Sequence, residues 1–316
     1  MAYSKSQTLL DYYKGRNRLL IIRNTGGLGD ILMCRMMFED FKIANPNCKV
    51  VFACPTFYHP AVEDHPFVDE IVDSNNVDIG DYFVGYDITT ACGKEEGRCA
   101  PMPAAHRSDI WAKHCGLELK HHNMHLTVPD HVTARCRSLL EQYRTNPFSP
   151  IVLLCPKANT GCKDLDIQQT QGVIDGLKSM NCCVLCLSSV PVPDVNTPTI
   201  IGKEIIDFFG FIKAADYIVT VDTATFHAAG GLNKPQVAIF TWADGKVYGK
   251  YYDKVILVQR HRDNGNWDCG PCYLWFKCPK TSAERKPCIT TITAEEIVAA
   301  FKVMIEKWPL SSYNDK

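Results

Sequence analysis

Tyr217-Ile-Val-Thr-Val-Asp-Thr-Ala-Thr-Phe-His-Ala-Ala-Gly-Gly-Leu-Asn-Lys-Pro235 is the stretch from which the fold is read. An apolar run ends at Asp222-Thr223, His227 follows about one helical turn later, and small residues continue to Gly230-Gly231. The pattern is a strand, a polar elbow and a close-packed helix. Such an elbow aims backbone N–H groups and the positive end of a helix dipole at whatever lies above the sheet, which favours an anion such as a diphosphate. A nucleotide-type ligand is therefore the first expectation.

Outward from this elbow the same rhythm repeats. Arg18–Arg23 reads as a strand, Asn24–Asp30 as a glycine-rich turn and Ile31–Ala44 as a helix. Further strands are expected at 49–54, 68–72 and 86–89. Thr90–Ala105 is polar and reads as a long loop, a candidate acceptor-contacting segment or lid or else a solvated excursion. Helices are expected at 106–115 and 131–143. Asn146-Pro-Phe-Ser-Pro150 then marks the best domain boundary. The second half has strands at 151–155, 183–187, 236–240 and 255–258, and helices at 165–180 and 201–214. A last helix, 293–308, opens with a capping box, Thr293-Ala-Glu-Glu296. Strands alternating with helices imply parallel sheets covered on both faces. The expected architecture is α/β, with domains at 1–147 and 148–316.

The 316 residues suffice for two ordinary domains, and 46% hydrophobic with 22% charged residues is globular composition. A net charge of -1 offers no general attraction to nucleic acid or anionic membrane, so an anion would be held by a local site. The N-terminus has no signal-peptide core and no run reaches about 18 apolar residues, which points to a cytoplasmic protein without a transmembrane segment. Most of the 16 cysteines lie in apolar runs such as Cys182-Cys183-Val-Leu-Cys186, where a thiol packs as a small hydrophobe.

Gly26-Gly27-Leu28-Gly29-Asp30 follows a strand and opens a helix, as a dinucleotide fingerprint would. It departs from one at Leu32, where a third glycine is needed, and at Phe52-Ala53-Cys54, where no acidic residue ends the second strand. An NAD-dependent oxidoreductase is thus disfavoured. What remains is a turn that lets a ligand approach the backbone at Gly27 and Gly29, with Asp30 at the helix mouth. Asp30 reads as an N-cap, or functionally as a general base. Lys163, in the polar loop that also holds Asn159 and Thr160, is either a solvated lysine or a cation for an anionic ligand. His227 alone reads as a packing histidine, and His121, His122 and His125 as surface residues.

The N-terminal run Leu19-Leu-Ile-Ile-Arg-Asn-Thr-Gly-Gly-Leu-Gly-Asp-Ile-Leu32, with Asn45-Pro46 and His65-Pro66-Phe-Val-Asp-Glu-Ile-Val72, resembles glycosyltransferase family nine, the ADP-heptose heptosyltransferases of lipopolysaccharide synthesis. Asp222-Thr223 with His227 and Pro235 is similar to that family's C-terminal signature, and His106-Arg107 and Lys163 fall where the family would place them. The resemblance covers almost the whole chain. It implies a GT-B architecture, two Rossmann-like domains facing a central cleft, acceptor side N-terminal and nucleotide-sugar side C-terminal. It further implies inverting transfer from an ADP-sugar, plausibly an ADP-heptose, to a hydroxyl of a glycan, lipid-linked or protein acceptor, with no cofactor for the transfer itself. Asp30 would be the base and Lys163 would neutralise the leaving diphosphate. Gly27, Gly29, Asn159, Thr160, Asp222, Thr223, Ala224 and His227 would complete the donor site. Ala224 departs from the family's usual glycine.

Cys269-Gly-Pro-Cys272, Cys278 and Cys288 form a quartet in a loop at 269–288 before the last helix. Four thiolates are the composition of a closed structural site for Fe or Zn. Some heptosyltransferase-like relatives, those acting on autotransporter proteins, resemble this in holding iron with four C-terminal cysteines. A sugar-nucleotide epimerase or hydrolase on the same scaffold, or a non-catalytic nucleotide-sugar-binding module, are the competing readings.

Overall fold

The computed structural model describes residues 17–100, 102–159, 161–260, 269–273, 278, 280–283 and 286–310. The chain forms two compact units, Met1–Glu95 with Ala105–His125, and Glu96–Ala104 with Leu126–Lys316.

The first unit contains β1 (Arg18–Ile22), α1 (Leu28–Cys34), α2 (Phe38–Ala44), β2 (Lys49–Cys54), β3 (Glu70–Asp73) and β4 (Val84–Asp87). The chain then runs through α3 (Ala91–Cys99) to α4 (Arg107–His114). Its strands are all parallel in the order β3-β2-β1-β4. Unbroken apolar runs in β1 and β2 bury both faces of the central strands, as a covered parallel sheet requires. The helix expected over 31–44 is instead two helices separated by a 3₁₀ turn at Arg35–Met37. Arg35 there is 0% exposed and donates to the Met124, Ala61 and His125 carbonyls and to Asp64. A buried guanidinium is tolerated because all these partners satisfy it.

Two expectations for this region are corrected. Residues 90–105 are not simply a polar loop, because α3 occupies 91–99. Its apolar signal is slight, and the helix instead buries Cys92 and Glu96, the latter accepting from the Tyr248 hydroxyl at 2.9 Å. Nor are His122 and His125 plain surface residues, since both are half-buried, whereas His121 is exposed as expected. His121 lies 2.8 Å from Asp40, His122 3.4 Å from Asp109 and His125 2.8 Å from Glu39. Each has its own carboxylate, so they do not converge on one ion.

The second unit runs α5 (Asp130–Glu141), β5 (Ile151–Cys155), α6 (Ile167–Ser179), β6 (Cys183–Ser188), β7 (Thr199–Ile201) and α7 (Ile205–Ala214). It continues with β8 (Tyr217–Val221), α8 (Ala224–Gly231), β9 (Gln236–Phe240), α9 (Gly245–Tyr248) and β10 (Val255–Gln259). Short α10 (Pro287–Thr290) and α11 (Ala294–Lys307) close it. The six strands are parallel in the order β10-β9-β8-β5-β6-β7. The expected start of a helix at 201 is corrected, since Ile201 ends a three-residue edge strand and the helix begins at Ile205. Thr293 and Glu296 make the reciprocal capping box expected for α11. Helix α5, which precedes the Pro-flanked stretch at 146–150, belongs to this unit. Arg137 on it donates to the Ala214 carbonyl at 2.8 Å and pairs with Asp216, whose other oxygen accepts from the Ile151 N–H.

No disulfide joins the described cysteines. Burial pushes the thiols of Cys155 and Cys186 up to about 12 and about 11, as suits side chains that pack rather than react. Among the described residues no helix is long and apolar enough to cross a membrane.

Candidate active site

In an open parallel sheet, ligands bind beyond the carboxyl ends of strands where the strand order reverses. The first sheet reverses between β1 and β4, the second between β5 and β8. The candidate residues fall at these two points.

In the first unit the chain leaves β1 through Arg23 and turns at Gly26, whose φ of 116° is open only to glycine in practice. A Cβ on Gly26 would lie 2.5 Å from Asp30 Oδ2 and 2.7 Å from Arg23 Nη2. One on Gly27 would meet nothing within 4 Å, so the space over that residue is open. Gly27 is the N-cap of α1, and Asp30 sits three residues further on. The expectation of Asp30 as N-cap is thus corrected, although its carboxylate still serves the helix start by accepting the Gly27 N–H at 3.0 Å. Its other partners come from far along the chain. Arg107 donates to Oδ1 at 2.6 Å and Arg23 stands 3.4 Å from Oδ2. Arg23 is itself held by the Thr89 carbonyl beyond β4 and lies over the Trp111 ring at 5.0 Å. Burial alone would raise the Asp30 pKa, but Arg107, Arg23 and the Gly27 N–H together outweigh it and hold the carboxyl below its ordinary value. Tyr58 donates to the Gly26 carbonyl at 3.1 Å and completes the rim. Gly29 lies in the first turn of α1. The sequence assigns neither Arg23 nor Arg107 this role, although His106-Arg107 falls where the resembled family would place it.

In the second unit Lys163 ends a 3₁₀ turn after β5 and reaches β8. Its Nζ donates to the Asp222 carbonyl at 3.0 Å and to Asp222 Oδ2 at 3.1 Å. The two side chains are 12% and 7% exposed. The solvated-lysine reading is therefore set aside. Thr223 is the extended N-cap of α8, and no side chain caps the helix, which leaves its leading N–H groups facing outward from the sheet end. Ala224 is the first helical residue and is only partly buried. His227 is buried, with Nδ1 2.8 Å from the Tyr252 hydroxyl and its ring against Phe226. Gly230 lets Tyr252 lie flat on α8, because a Cβ would come 2.5 Å from the ring. His227 and Tyr252 thus fix the helix that presents Thr223 and Ala224. Asn159 lies in the loop before Lys163, while Thr160 is outside the described residues. Beside this loop, Lys157, Gly161, Asp164 and the start of α6 at Ile167 and Gln168 line a cavity of about 560 Å³.

The four C-terminal cysteines are all partly buried. Burial pushes the Cys288 thiol up to about 11, and charge on Cys272, Cys269 and Cys278 pushes it the same way. The sulfurs therefore share a neighbourhood, yet among the described residues no three His, Cys, Asp or Glu side chains are arranged as a metal site.

Two Rossmann-like units, a four-stranded and a six-stranded parallel sheet, are the architecture of the GT-B fold. Residues 199–268, which span β7 to just beyond β10 and include the elbow, match the family model described as glycosyltransferase family 9 (heptosyltransferase). Solved structures that share the fold include the following three. A family 9 glycosyl transferase from Veillonella parvula is 11% identical, with a TM-score of 0.67 over 92% of this chain and 97% of its own. ADP-heptose lps heptosyltransferase II of E. coli is 13% identical, with a TM-score of 0.62 over 92% and 99%. The iron-containing dodecameric glycosyltransferase TibC from enterotoxigenic E. coli is 14% identical, with a TM-score of 0.67 over 92% and 77%. No curated protein sequence matches. The fold is that of these solved structures, and the matched segment resembles glycosyltransferase family 9.

Proposed function

We propose that the protein is an inverting glycosyltransferase that moves a sugar, of the heptose type, from an ADP-sugar to an acceptor hydroxyl. The observation that carries this is the Lys163–Asp222 pair at the uncapped start of α8, on the switch point of the second sheet. A departing diphosphate would take the ammonium of Lys163 and the leading N–H groups at Thr223 and Ala224, while Asp222 would accept hydroxyls of the donor sugar. Electrostatic groups already aimed at developing charge need little reorganisation in the transition state. Gly27, Gly29, Asn159 and Thr160 are assigned to the donor as well, and His227 acts through α8.

Asp30 would take the proton of the attacking hydroxyl. It is ionised at neutral pH, and the two arginines hold the carboxylate in one orientation while lowering its basicity. General-base catalysis of this kind contributes roughly 10²- to 10⁴-fold. The acceptor would be a glycan, a lipid-linked sugar or a protein, and lipopolysaccharide assembly in the cytoplasm is the setting these assignments suit best.

Cys269, Cys272, Cys278 and Cys288 would hold a structural Fe or Zn. A soft thiolate set suits either ion. It would cross-link the loop and take no part in transfer. Elemental analysis of purified protein tests this, with stoichiometric metal expected in wild type and lost in Cys272→Ser. Metal-free wild type would remove the assignment.

The transfer itself is tested by incubating ADP-heptose with and without acceptor extracts. Acceptor-dependent release of ADP supports the proposal. Acceptor-independent consumption would point to a hydrolase or epimerase instead.

A further inference from the structure

Lys163 has a third neighbour besides the two oxygens of Asp222. Its Nζ stands 5.0 Å from the centroid of the Trp242 ring, just beyond β9. Trp242 is buried, so the indole walls one side of the ammonium off from water. The ring is held from the cysteine loop. The Trp242 carbonyl accepts both the Cys272 N–H, at 3.0 Å, and the Tyr273 N–H, at 3.1 Å. The Tyr273 ring meets the indole edge-on at 6.0 Å and 89°. Tyr273 is anchored in turn, its hydroxyl accepting the Ala104 N–H at 3.1 Å.

A lysine side chain has four rotatable bonds and little reason to hold one position at a sheet end. Asp222 alone fixes the direction of the charge but not the path of the stem. An aromatic face attracts the cation through its quadrupole and, being desolvated, makes the attraction stronger than at an exposed site. It also adds no hydrogen-bond acceptor that would compete with an incoming phosphate.

We propose that Trp242 is the positioning residue for Lys163, and that the Cys269–Tyr273 turn is its anchor and so sets the geometry of the diphosphate subsite. This rests on the donor-site reading of Lys163 given above.

The test is a double-mutant cycle read by ADP affinity in calorimetry. Trp242→Met should weaken ADP about tenfold when Lys163 is present and by less than about twofold in Lys163→Met. Trp242→Phe, which keeps an aromatic face, should retain most of the affinity. Equal losses in both backgrounds, or no rescue by phenylalanine, would make Trp242 a mere packing residue and overturn the proposal. Should Trp242→Met fail to fold, the phenylalanine variant decides by emission. ADP should change tryptophan fluorescence in wild type as the ammonium shifts over the indole, and an equal change in Trp242→Phe would contradict the proposal. If ADP does not bind wild type at all, the donor-site reading falls. The coupling of Lys163 to Trp242 is then judged from melting temperatures of the same variants without ligand, where additive shifts would overturn it and non-additive shifts would support it.

Discussion

At the mouth of β1 a carboxylate stands between two guanidinium groups, whereas at the mouths of β5 and β8 an ammonium stands between a carboxylate and an indole ring. Both places are strand-order reversals in parallel sheets, so topology put a site at each. Under the proposed function the side chains would give the two places opposite tasks. Two cations around Asp30 fix the orientation of its carboxylate and lower its basicity. A cation balanced by one carboxylate at an open helix start suits an anion that arrives and leaves.

The division of labour is broken most directly by turnover in Asp30→Asn. Transfer should fall roughly 10²- to 10⁴-fold, while ADP affinity stays within about twofold. A wild-type rate in an acceptor-dependent assay would remove Asp30 from the chemistry. Lys163→Met comes next. Losing one preorganised group that stabilises developing charge costs on the order of 10²- to 10³-fold in kcat, and this variant should lose ADP affinity as well. If kcat alone drops and ADP binds normally, Lys163 acts somewhere other than on the diphosphate.

The first site can be sharpened through its turn. Gly26→Ala forces a side chain into a φ of 116° against Asp30 and Arg23, and should destabilise by about 1–3 kcal/mol in urea unfolding. Gly27→Ala meets no neighbour and should leave stability near wild type. Equal stability of the two alanine variants would contradict the packed turn around Asp30.

The smallest effect is in pH. The folded pKa of Asp30 lies below its ordinary 3.8, so its ion pairs stabilise the fold above that pH and the contribution is lost as pH falls through the lowered folded value. The stability gap between wild type and Asp30→Asn should therefore be constant from pH 7 to about pH 5 and close below pH 3.8. A gap that instead widens in acid would mean that Asp30 is protonated more easily in the fold than in the unfolded chain.

The central strands were legible because parallel-sheet strands are buried on both faces and appear as unbroken apolar runs, as in Ile151–Cys155 and Tyr217–Val221. Short edge strands lack that signal. Thr199–Ile201 merged into the helix that follows it. Helix α3 was hidden for a related reason, since its mean hydropathy is low and its buried carboxylate, Glu96, is explained only by a tyrosine far along the chain. At the sites, local chemistry could be read and distant partners could not. Asp30, Lys163 and the elbow stand out by their neighbours in sequence. Arg107 beside Asp30, the indole beneath Lys163 and the tyrosine that holds His227 arrive through folding, Arg107 from 77, Trp242 from 79 and Tyr252 from 25 positions away.

The proposed function assigns the leaving diphosphate to Lys163 in the second unit and proton removal to Asp30 in the first. Titrating ADP by calorimetry into wild type, Asp30→Asn and Lys163→Met tests that assignment in one experiment. Wild type and Asp30→Asn should bind alike, and Lys163→Met should bind at least about tenfold more weakly, in keeping with a lost charge-assisted contact. Equal losses in both variants, or undisturbed binding in Lys163→Met, would contradict it.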